Sequence, residues 1–401
     1  MEGDPSKTAW FELESDTLEL GSFFQFGTLD LAQLDGGVPA TNPAKSFVLR
    51  RVIEGPTAFR GRRAATRLSI FNPGQQSALL RLSFVPLELD GSRPSGGPQV
   101  TRSIAARSQL NASISDLFSG SSFLGYLVGE VLEGPDVVAF EVIEFPDQQT
   151  TIGLNGFSEE APSRSFSAQL ASQPGFFTSV NLINTDSQTR RVRLTAILED
   201  SSYLTEPVEI ELRPGEQFTQ DAGLLFSNIG PAGGAKVSFV GSLEVEADGP
   251  GVIGDVIFGD DAQLRFAAAL GLQTRPFREA IFNQVANLPN FFTGLAFFFP
   301  KPLGDCTSPD AELTIQVYRN DGQLVEETTR TLGPGERSSL LVVELAPESA
   351  GQSGGYTLIR ATQEIIAQMI FGALDEQGIR LLSAVPAEAR PPVLGNIRRR
   401  N

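Results

Sequence analysis

The chain has 401 residues, of which 41% are hydrophobic and 20% charged, so it is long enough to bury several separate cores. Its 31 basic and 48 acidic residues give a net charge of -17, which disfavours binding to nucleic acids or anionic membrane surfaces. It has no histidine and a single cysteine, Cys306. Serine–histidine or cysteine–histidine catalysis, disulfides within the chain and multi-cysteine zinc sites are therefore excluded.

The N-terminal residues 1–46 predict a partial β repeat followed by a linker. The run Phe23-Phe24-Gln25-Phe26-Gly27 resembles a strand that recurs near the end of each later repeat. We interpret residues from about Trp10 to Leu34 as the last strands of a sandwich whose first half is absent from the chain. An incomplete sandwich exposes a strand edge, which favours pairing with another chain.

Three full repeats follow, and one strand pattern identifies them. It begins at Thr66, Thr178 and Thr293, at intervals of 112 and 115 residues, and alternates apolar with polar side chains. A second landmark ends at Phe145, Phe258 and Phe371, with both intervals equal to 113 residues. We therefore predict three antiparallel β-sandwiches at residues 47–157, 163–272 and 277–386, and a C-terminal tail at 387–401.

Shorter motifs lie between these landmarks. Turns at Arg213-Pro214-Gly215-Glu216 and Gly333-Pro334-Gly335-Glu336 lead into strands, with Ala105-Ala106-Arg107-Ser108 as the weaker equivalent. The pairs Leu117-Phe118 and Leu225-Phe226 indicate one helical turn between strands. Short proline-bearing joints separate the repeats, so we expect neighbouring sandwiches to sit end to end as an elongated rod.

The order of these pieces resembles the tandem, immunoglobulin-like β-sandwich repeats of secreted bacterial surface proteins. Gly125-Tyr126 and Gly355-Tyr356 start equivalent strands in that pattern, whereas the middle unit has Gly234-Ala235. The resemblance covers most of residues 47–386 and implies an extracellular or cell-surface location, with a spacer, adhesive or fibre-forming role. The resemblance implies no catalytic residues for this chain.

Candidate assembly contacts are two runs of phenylalanine, in which consecutive side chains must point to both faces of a strand. These residues are Phe23, Phe24, Phe26, Phe297, Phe298 and Phe299. We expect no cofactor. Ca²⁺ is the one ion that acidic turns such as Asp248-Gly249, Asp260-Asp261 and Asp321-Gly322 can attract, although Asp-Gly is also an ordinary hairpin turn.

The sequence therefore predicts a non-catalytic extracellular structural protein that acts as a surface spacer or a fibre subunit. We expect it to associate with itself or with a neighbouring surface protein, and to lack a membrane-spanning segment. A virion structural protein is a variant of this interpretation. The alternative is an adhesin that recognises glycan or protein through its loops or a sandwich face, and an enzyme using paired carboxylates ranks third.

Overall fold

The computed structural model describes residues 23–27, 34–39, 41–88, 96–198, 202, 206–227, 237–300 and 307–389. Within these residues the chain is all-β, and every pairing between its strands is antiparallel. A hairpin of β1 (Phe23–Gly27) and β2 (Leu34–Pro39) comes first. The strands that follow fall into three units, and we letter the strands of each unit A to H in chain order.

The first unit contains β3 (Ser46–Phe59), β4 (Arg62–Asn72), β5 (Ala78–Pro86), β6 (Gln99–Ile104), β7 (Ser108–Ser113), β8 (Phe123–Glu133), β9 (Val138–Phe145) and β10 (Thr150–Asn155). The second contains β11 (Arg164–Ser172), β12 (Phe177–Asn184), β13 (Arg190–Leu198), β14 (Val208–Leu212), β15 (Gln217–Asp221), β16 (Phe239–Ala247), β17 (Val252–Gly259) and β18 (Ala267–Gly271).

The third unit contains β19 (Phe277–Phe282), β20 (Phe291–Phe298), β21 (Ala311–Tyr318), β22 (Leu324–Leu332), β23 (Arg337–Leu341), β24 (Tyr356–Asp375), β25 (Gly378–Pro386) and the short β26 (Glu388–Ala389). Its β24 is 20 residues long and supplies both strand F and strand G. Single helical turns precede strand F in the three units, at α1 (Ile114–Leu117), α2 (Ala222–Leu225) and α3 (Val342–Leu345).

All three units share one strand order. The strands run D-C-F-A and E-B-G-H, which are two separate sheets in the second unit, β14-β13-β16-β11 and β15-β12-β17-β18; pairing of β3 with β4 joins them in the first unit, and β24 joins them in the third. The two sheets of a unit enclose a common core, to which Leu194 and Leu243 contribute from one sheet and Val180 and Val256 from the other. The immunoglobulin arrangement places A, B, E and D in one sheet, so this strand order differs from the immunoglobulin-like order that the sequence suggested.

The threonine that opens the first landmark has the same role in each unit. The Thr178 hydroxyl accepts the Ala171 amide at 3.0 Å and donates to the Ala171 carbonyl at 2.8 Å. Thr66 makes the same two bonds with Ile53, and Thr293 with Ala286. The buried hydroxyl thus replaces a ladder bond where strands A and B separate, which explains why the threonine recurs.

The second landmark is displaced by two residues in the first unit. Thr66, Thr178 and Thr293 pair with Ile143, Phe258 and Phe371, so Ile143, not Phe145, is the equivalent residue. Ile143 and Phe145 are both apolar and both lie in β9, which concealed the shift. In the middle unit, the residues that align with Gly125-Tyr126 and Gly355-Tyr356 are Gly241-Ser242; Gly234-Ala235 lie outside the described residues.

Close packing explains the glycine that starts strand F. A Cβ atom on Gly125, Gly241 or Gly355 would lie 2.0, 2.4 or 2.1 Å from a carbonyl oxygen of the neighbouring strand C. That separation is well inside van der Waals contact, so any larger residue would push the two strands apart. The residue after this glycine projects from the outer face of the D-C-F-A sheet.

The expected elongated rod is wrong, because the units pack side by side. After strand H the chain turns back and pairs with strand A of its own unit, through Phe157 with Val48 and Gln273 with Phe166. The next unit therefore begins beside the previous one, and not beyond its end. Apolar clusters consequently extend across the junctions, and the core of the second unit includes Leu382 and Ala384 of β25.

The H strands meet at the centre of the molecule. β10 lies beside β18, β18 lies beside β25, and β2 lies beside both β25 and β10. In the described part of the chain these four strands are not hydrogen-bonded to one another. They pack as a ring of four, which we call the central bundle. The N-terminal hairpin thus occupies the place in which the G and H strands of a fourth unit would stand.

We expect small-angle X-ray scattering to give a radius of gyration near the value for a compact chain of this length, about 22 Å. Three sandwiches placed end to end, each about 35 Å long, would give about 30 Å or more. A measured value in the second range would contradict the side-by-side packing.

Candidate functional site

The junction between the first and second units is built around a β-bulge in β3. The pairing of β3 with β8 shifts between Leu49 and Val52, and the intervening residues are Arg50 and Arg51. A bulge redirects side chains that would otherwise follow the pleat. Both arginines consequently reach the second unit, and their residues are only 5% and 2% exposed.

Arg51 makes a buried ion pair across this junction. Its Nε lies 2.5 Å from Oδ1 of Asp255 in β17, and the two side chains are 2% and 0% exposed. Its Nη1 donates to the Ser179 hydroxyl at 3.1 Å and its Nη2 to the Ser179 carbonyl at 3.0 Å. An ion pair this deep needs such additional hydrogen bonds, because each charge has lost its hydration.

Amide side chains of the second unit complete the network. Asn181 Nδ2 donates to Asp255 Oδ2 at 2.6 Å, and Gln217 Nε2 donates to Asn181 Oδ1 at 2.8 Å. Both amides also donate to the Arg50 carbonyl at 3.2 Å. The bulge therefore offers a backbone acceptor as well as two cations, and the second unit provides matching partners for each.

Glu141 of β9 supports the bulge from within the first unit. Its Oε1 accepts the Arg50 and Arg51 amides at 3.1 and 3.2 Å, while Oε2 is buried and has no hydrogen-bond partner among the described residues. The pKa of Glu141 is raised to about 8, chiefly by desolvation and also by the nearby Asp255, against the lowering effects of Arg50 and the two amides. Burial also lowers the pKa of Arg50.

An extended A–B hairpin adds a second contact at this junction. The Thr66 hydroxyl bonds a residue 13 positions earlier, against 7 positions for Thr178, so the first unit has a longer hairpin. Arg60 near its tip lies over the Phe177 ring, 4.1 Å from the centroid, and pairs with Asp221 at 2.7 Å and with Asp261. Arg60 is therefore docked on the second unit.

Apolar contacts surround this polar network and recur at the next junction. Tyr126, Val48 and Val85 of the first unit pack on Ile183 and Ile253 of the second. The Tyr126 hydroxyl donates to the Gly215 carbonyl of the second unit at 2.9 Å, and burial raises its pKa to about 12.

At the next junction, Phe166 and Ile197 of the second unit pack on Phe298 and Ile366 of the third. Arg337 donates to Gln169 at 2.8 Å across the same boundary. Gln169 occupies the bulge position that corresponds to Arg51.

The phenylalanines proposed as assembly contacts are divided between two environments. Phe297 and Phe299 lie in the core of the third unit, and Phe298 meets Phe166 of the second unit at a centroid distance of 6.2 Å. All three are at most 1% exposed, so their apolar surface is buried within this chain. Phe23, Phe24 and Phe26 lie in β1, and their side chains fall outside the described residues.

The acidic turns are occupied by protein groups. Asp260 accepts the amides of Ala262, Gln263 and Arg265 at 3.1 to 3.2 Å, and Asp261 pairs with Arg60. Across the described ranges, no three histidine, cysteine, aspartate or glutamate side chains come together as metal ligands. Cys306 lies outside those ranges, and no helix in them is long and apolar enough to cross a membrane.

A cavity of about 340 Å³ opens at one end of the third unit. It is lined mainly by Leu288, Pro289, Phe291, Phe292, Leu341 and Val343. Phe292 and Leu341 occupy the positions that Phe177 and Asp221 hold in the second unit, where Arg60 docks. The A–B hairpin of the second unit, which faces the third unit, is shorter than that of the first.

Comparisons with known proteins provide no family. No family matches the chain, and no curated protein does. A chain in the atomic structure of Sulfolobus turreted icosahedral virus is 11% identical, with 88% of each chain covered and a TM-score of 0.14. Another, from a structure of a triple jelly roll fold and turret assembly in an archaeal virus, is 12% identical, with 90% of this chain and 91% of that chain covered and a TM-score of 0.14. At these scores neither likeness carries an argument.

We predict that stability decreases as the pH rises, because the pKa of Glu141 is raised on folding. A carboxyl group with a folded pKa of about 8 and an ordinary unfolded value of 4.5 contributes stability that is complete below pH 4.5. That contribution is lost as the pH rises through 8, and its size is on the order of a few kcal/mol.

The free energy of unfolding, measured with urea from pH 4.5 to 8.5, should fall less steeply with pH for the Glu141→Gln variant than for the wild type. Glu133→Gln is the matched control, since Glu133 is exposed on the same unit and should leave the slope unchanged. Parallel slopes for the wild type and Glu141→Gln would contradict the prediction.

Proposed function

We propose that this chain is a non-catalytic extracellular structural protein in which three β-sandwich domains act as one rigid body. One observation carries the proposal, the buried ionic network that joins the first two units. Burying Arg51 and Asp255 is favourable only at a fixed geometry, because a small displacement would break the pair while both charges are still buried in a low dielectric. A junction of this kind suits a protein that bears load or holds other components apart. It does not suit a protein whose domains must move relative to one another.

The continuous apolar packing supports the same role. Interfaces between mobile domains are usually polar and small, whereas here Phe298 and Ile366 of the third unit are fully buried against Phe166 of the second. The third unit also contributes Leu382 and Ala384 to the core of the second. We therefore propose a compact spacer or assembly subunit in place of a rod.

The extracellular location is supported by the resemblance to tandem sandwich repeats of secreted bacterial surface proteins. The motifs that carry that resemblance have structural roles in this chain. Gly215 and Gly335, in the two Pro-Gly-Glu turns, have φ angles of 75° and 78°, which glycine adopts without strain. The following Glu216 and Glu336 accept the amides of Arg213 and Gly333 at 2.8 and 2.7 Å and close the turns.

The second candidate function is ligand or protein binding, and the apolar cavity of the third unit favours it. Its volume of about 340 Å³ is within the range of small-molecule sites, and Phe291 and Leu341 present apolar surface at its edge. A specific hit on a glycan or surface-protein array that Phe291→Asp abolishes would favour this candidate over the structural one.

Differential scanning calorimetry tests the rigid body directly. We expect one cooperative transition, with equal calorimetric and van't Hoff enthalpies, because the cores of the units are joined. Replacing Arg51 leaves Asp255 buried without its cation, so Arg51→Ala should lower the free energy of unfolding by about 3–5 kcal/mol.

Arg81→Ala is the matched control, because the pair of Arg81 with Glu130 is solvent-exposed and should cost less than about 1 kcal/mol. Three separate transitions in the wild-type chain would show that the domains unfold independently, and the structural proposal would then fail.

A further inference from the structure

The two junctions use the same pair of faces. In each, the outer face of the D-C-F-A sheet, which we call the donor face, packs on the outer face of the next unit's E-B-G-H sheet, which we call the acceptor face. Tyr126 and Val85 of the first unit thus meet Ile183 and Ile253 of the second. By register, Ile183 and Ile253 align with Phe298 and Ile366, which receive the donor face of the second unit.

The third unit has a donor face of the same kind. Register places Tyr318 at the position of Val85 and Tyr356 at that of Tyr126. The two rings stack at a centroid distance of 4.7 Å, and both residues are half-buried. Tyrosine is enriched at the centres of interfaces because it combines a large apolar ring with a polar edge. At the first junction Tyr126 uses that edge to donate to Gly215.

The first unit has the complementary acceptor face. Phe71 and Val138 pair in the register of Ile183 and Ile253. In the second unit every residue of β12 and β17 is buried, because the first unit covers their outer face. In β9 of the first unit, buried residues alternate with half-buried ones, Val138 and Val142 among the latter. The half-buried Phe71, Val138 and Val142 give this face an apolar part that a further sandwich can cover.

The N-terminal hairpin provides a third, independent observation. In each full unit, strand G pairs with strand B on one side and strand H on the other. β1 pairs with β2 as strand G pairs with strand H, so the edge of β1 away from β2 is the one that strand B occupies in the full units. Since β2 already lies in the central bundle beside β25 and β10, the hairpin marks the fourth position around that bundle.

We infer that the fourth position receives a six-stranded sandwich body, with strands A to F, which takes β1 and β2 of this chain as its strands G and H. Its acceptor face would cover Tyr318 and Tyr356, and its donor face would cover Val138. A second copy of this chain does not fit, since each of its units already has G and H strands that would compete with β1 and β2 for the central bundle. The inference deepens the proposed structural role, on which it rests, by naming the partner.

Charges at the margins of both faces are consistent with such docking. Arg360 pairs with Glu279 at 2.8 Å beside the donor face of the third unit, and Arg67 pairs with Glu144 at 3.1 Å on the acceptor face of the first. Each margin is therefore already neutralised within its own unit. Docking would bury apolar and aromatic groups at the centre and leave paired charges at the rim, as in stable protein interfaces.

The test extends the full chain by a body of known strand order. Residues 163–251, which hold strands A to F of the second unit and the loop that follows, replace residues 1–22 and lead directly into Phe23. We expect the amides of residues 23–27 to exchange with deuterium at least 10-fold more slowly in the extended chain than in the parent chain. Tyr318→Arg removes the stack with Tyr356, so the parent chain with the same substitution is the reference; there exchange at residues 23–27 should be unchanged, whereas in the extended chain the substitution should restore at least 10-fold faster exchange at those residues.

A second extended chain, in which residues 252–271 replace residues 23–39, gives the added body its own hairpin. If the body folds there while the native hairpin in the first extended chain shows unchanged exchange, β1 and β2 are not its missing strands and the inference is wrong. Protection that does not respond to Tyr318→Arg would place the body elsewhere and overturn the inference equally, as would failure to fold or dock in both extended chains. The proposed structural role is tested separately, by calorimetry of the parent chain.

Discussion

The packing of one sheet face on the next determines the architecture of this protein. Each unit buries an inner core between its two sheets, as any sandwich does, but it also covers the outer face of a neighbouring sheet. Strands such as β12 and β17 are therefore apolar or neutralised on both faces, which is unusual for an antiparallel sheet. The ring of H strands, the buried arginines and the position of the N-terminal hairpin all follow from this stacking.

The polar part of the first junction selects one geometry from the many that apolar packing would allow. Apolar surfaces slide at little cost, whereas Arg51, Asp255 and Asn181 are satisfied in only one relative position. The second junction uses uncharged or singly charged groups, Gln169 with Arg337 and Ser167 with Gln368, at the corresponding place. The bulge thus contributes an ion pair at the first junction and neutral amide or hydroxyl groups at the second. The ion pair occurs at the junction where the longer A–B hairpin also docks.

Much of the fold could be predicted from the sequence, because its repeats carry structural residues at fixed places. Thr66, Thr178 and Thr293 could be aligned without coordinates, and the helical turn before strand F follows from the Leu-Phe pairs. The relative placement of the units could not be predicted, since short proline-bearing joints suit an end-to-end chain as well as a side-by-side one. The return of Phe157 to pair with Val48 depends on a sheet edge that only the folded unit presents.

The junction residues left a weaker signal. Arg50 and Arg51 interrupt the apolar run from Phe47 to Ile53, and Asp255 interrupts an apolar strand, so each was a charge placed where a core was expected. Charges of opposite sign in two such strands suggest an ion pair. The sequence alone does not show that these two strands lie close together in space. The sequence placed the run Phe297, Phe298 and Phe299 on both faces of a strand without saying which residue leaves the core, and the partner of Phe298 could only be identified once the second unit was placed beside it.

The continuous β24 gives the third unit a mechanical property that the other two lack. In the first and second units, strands F and G are separate elements; pairing of β3 with β4 joins the two sheets of the first unit, whereas among the described residues no strand pairing joins those of the second. In the third unit a single strand of 20 residues crosses from one sheet to the other, pairing with β21 in the first and β20 in the second. Sliding the sheets past each other would require shearing both ladders together, so under tension this unit should yield after the second, whose two sheets, as far as the structure describes them, share no strand.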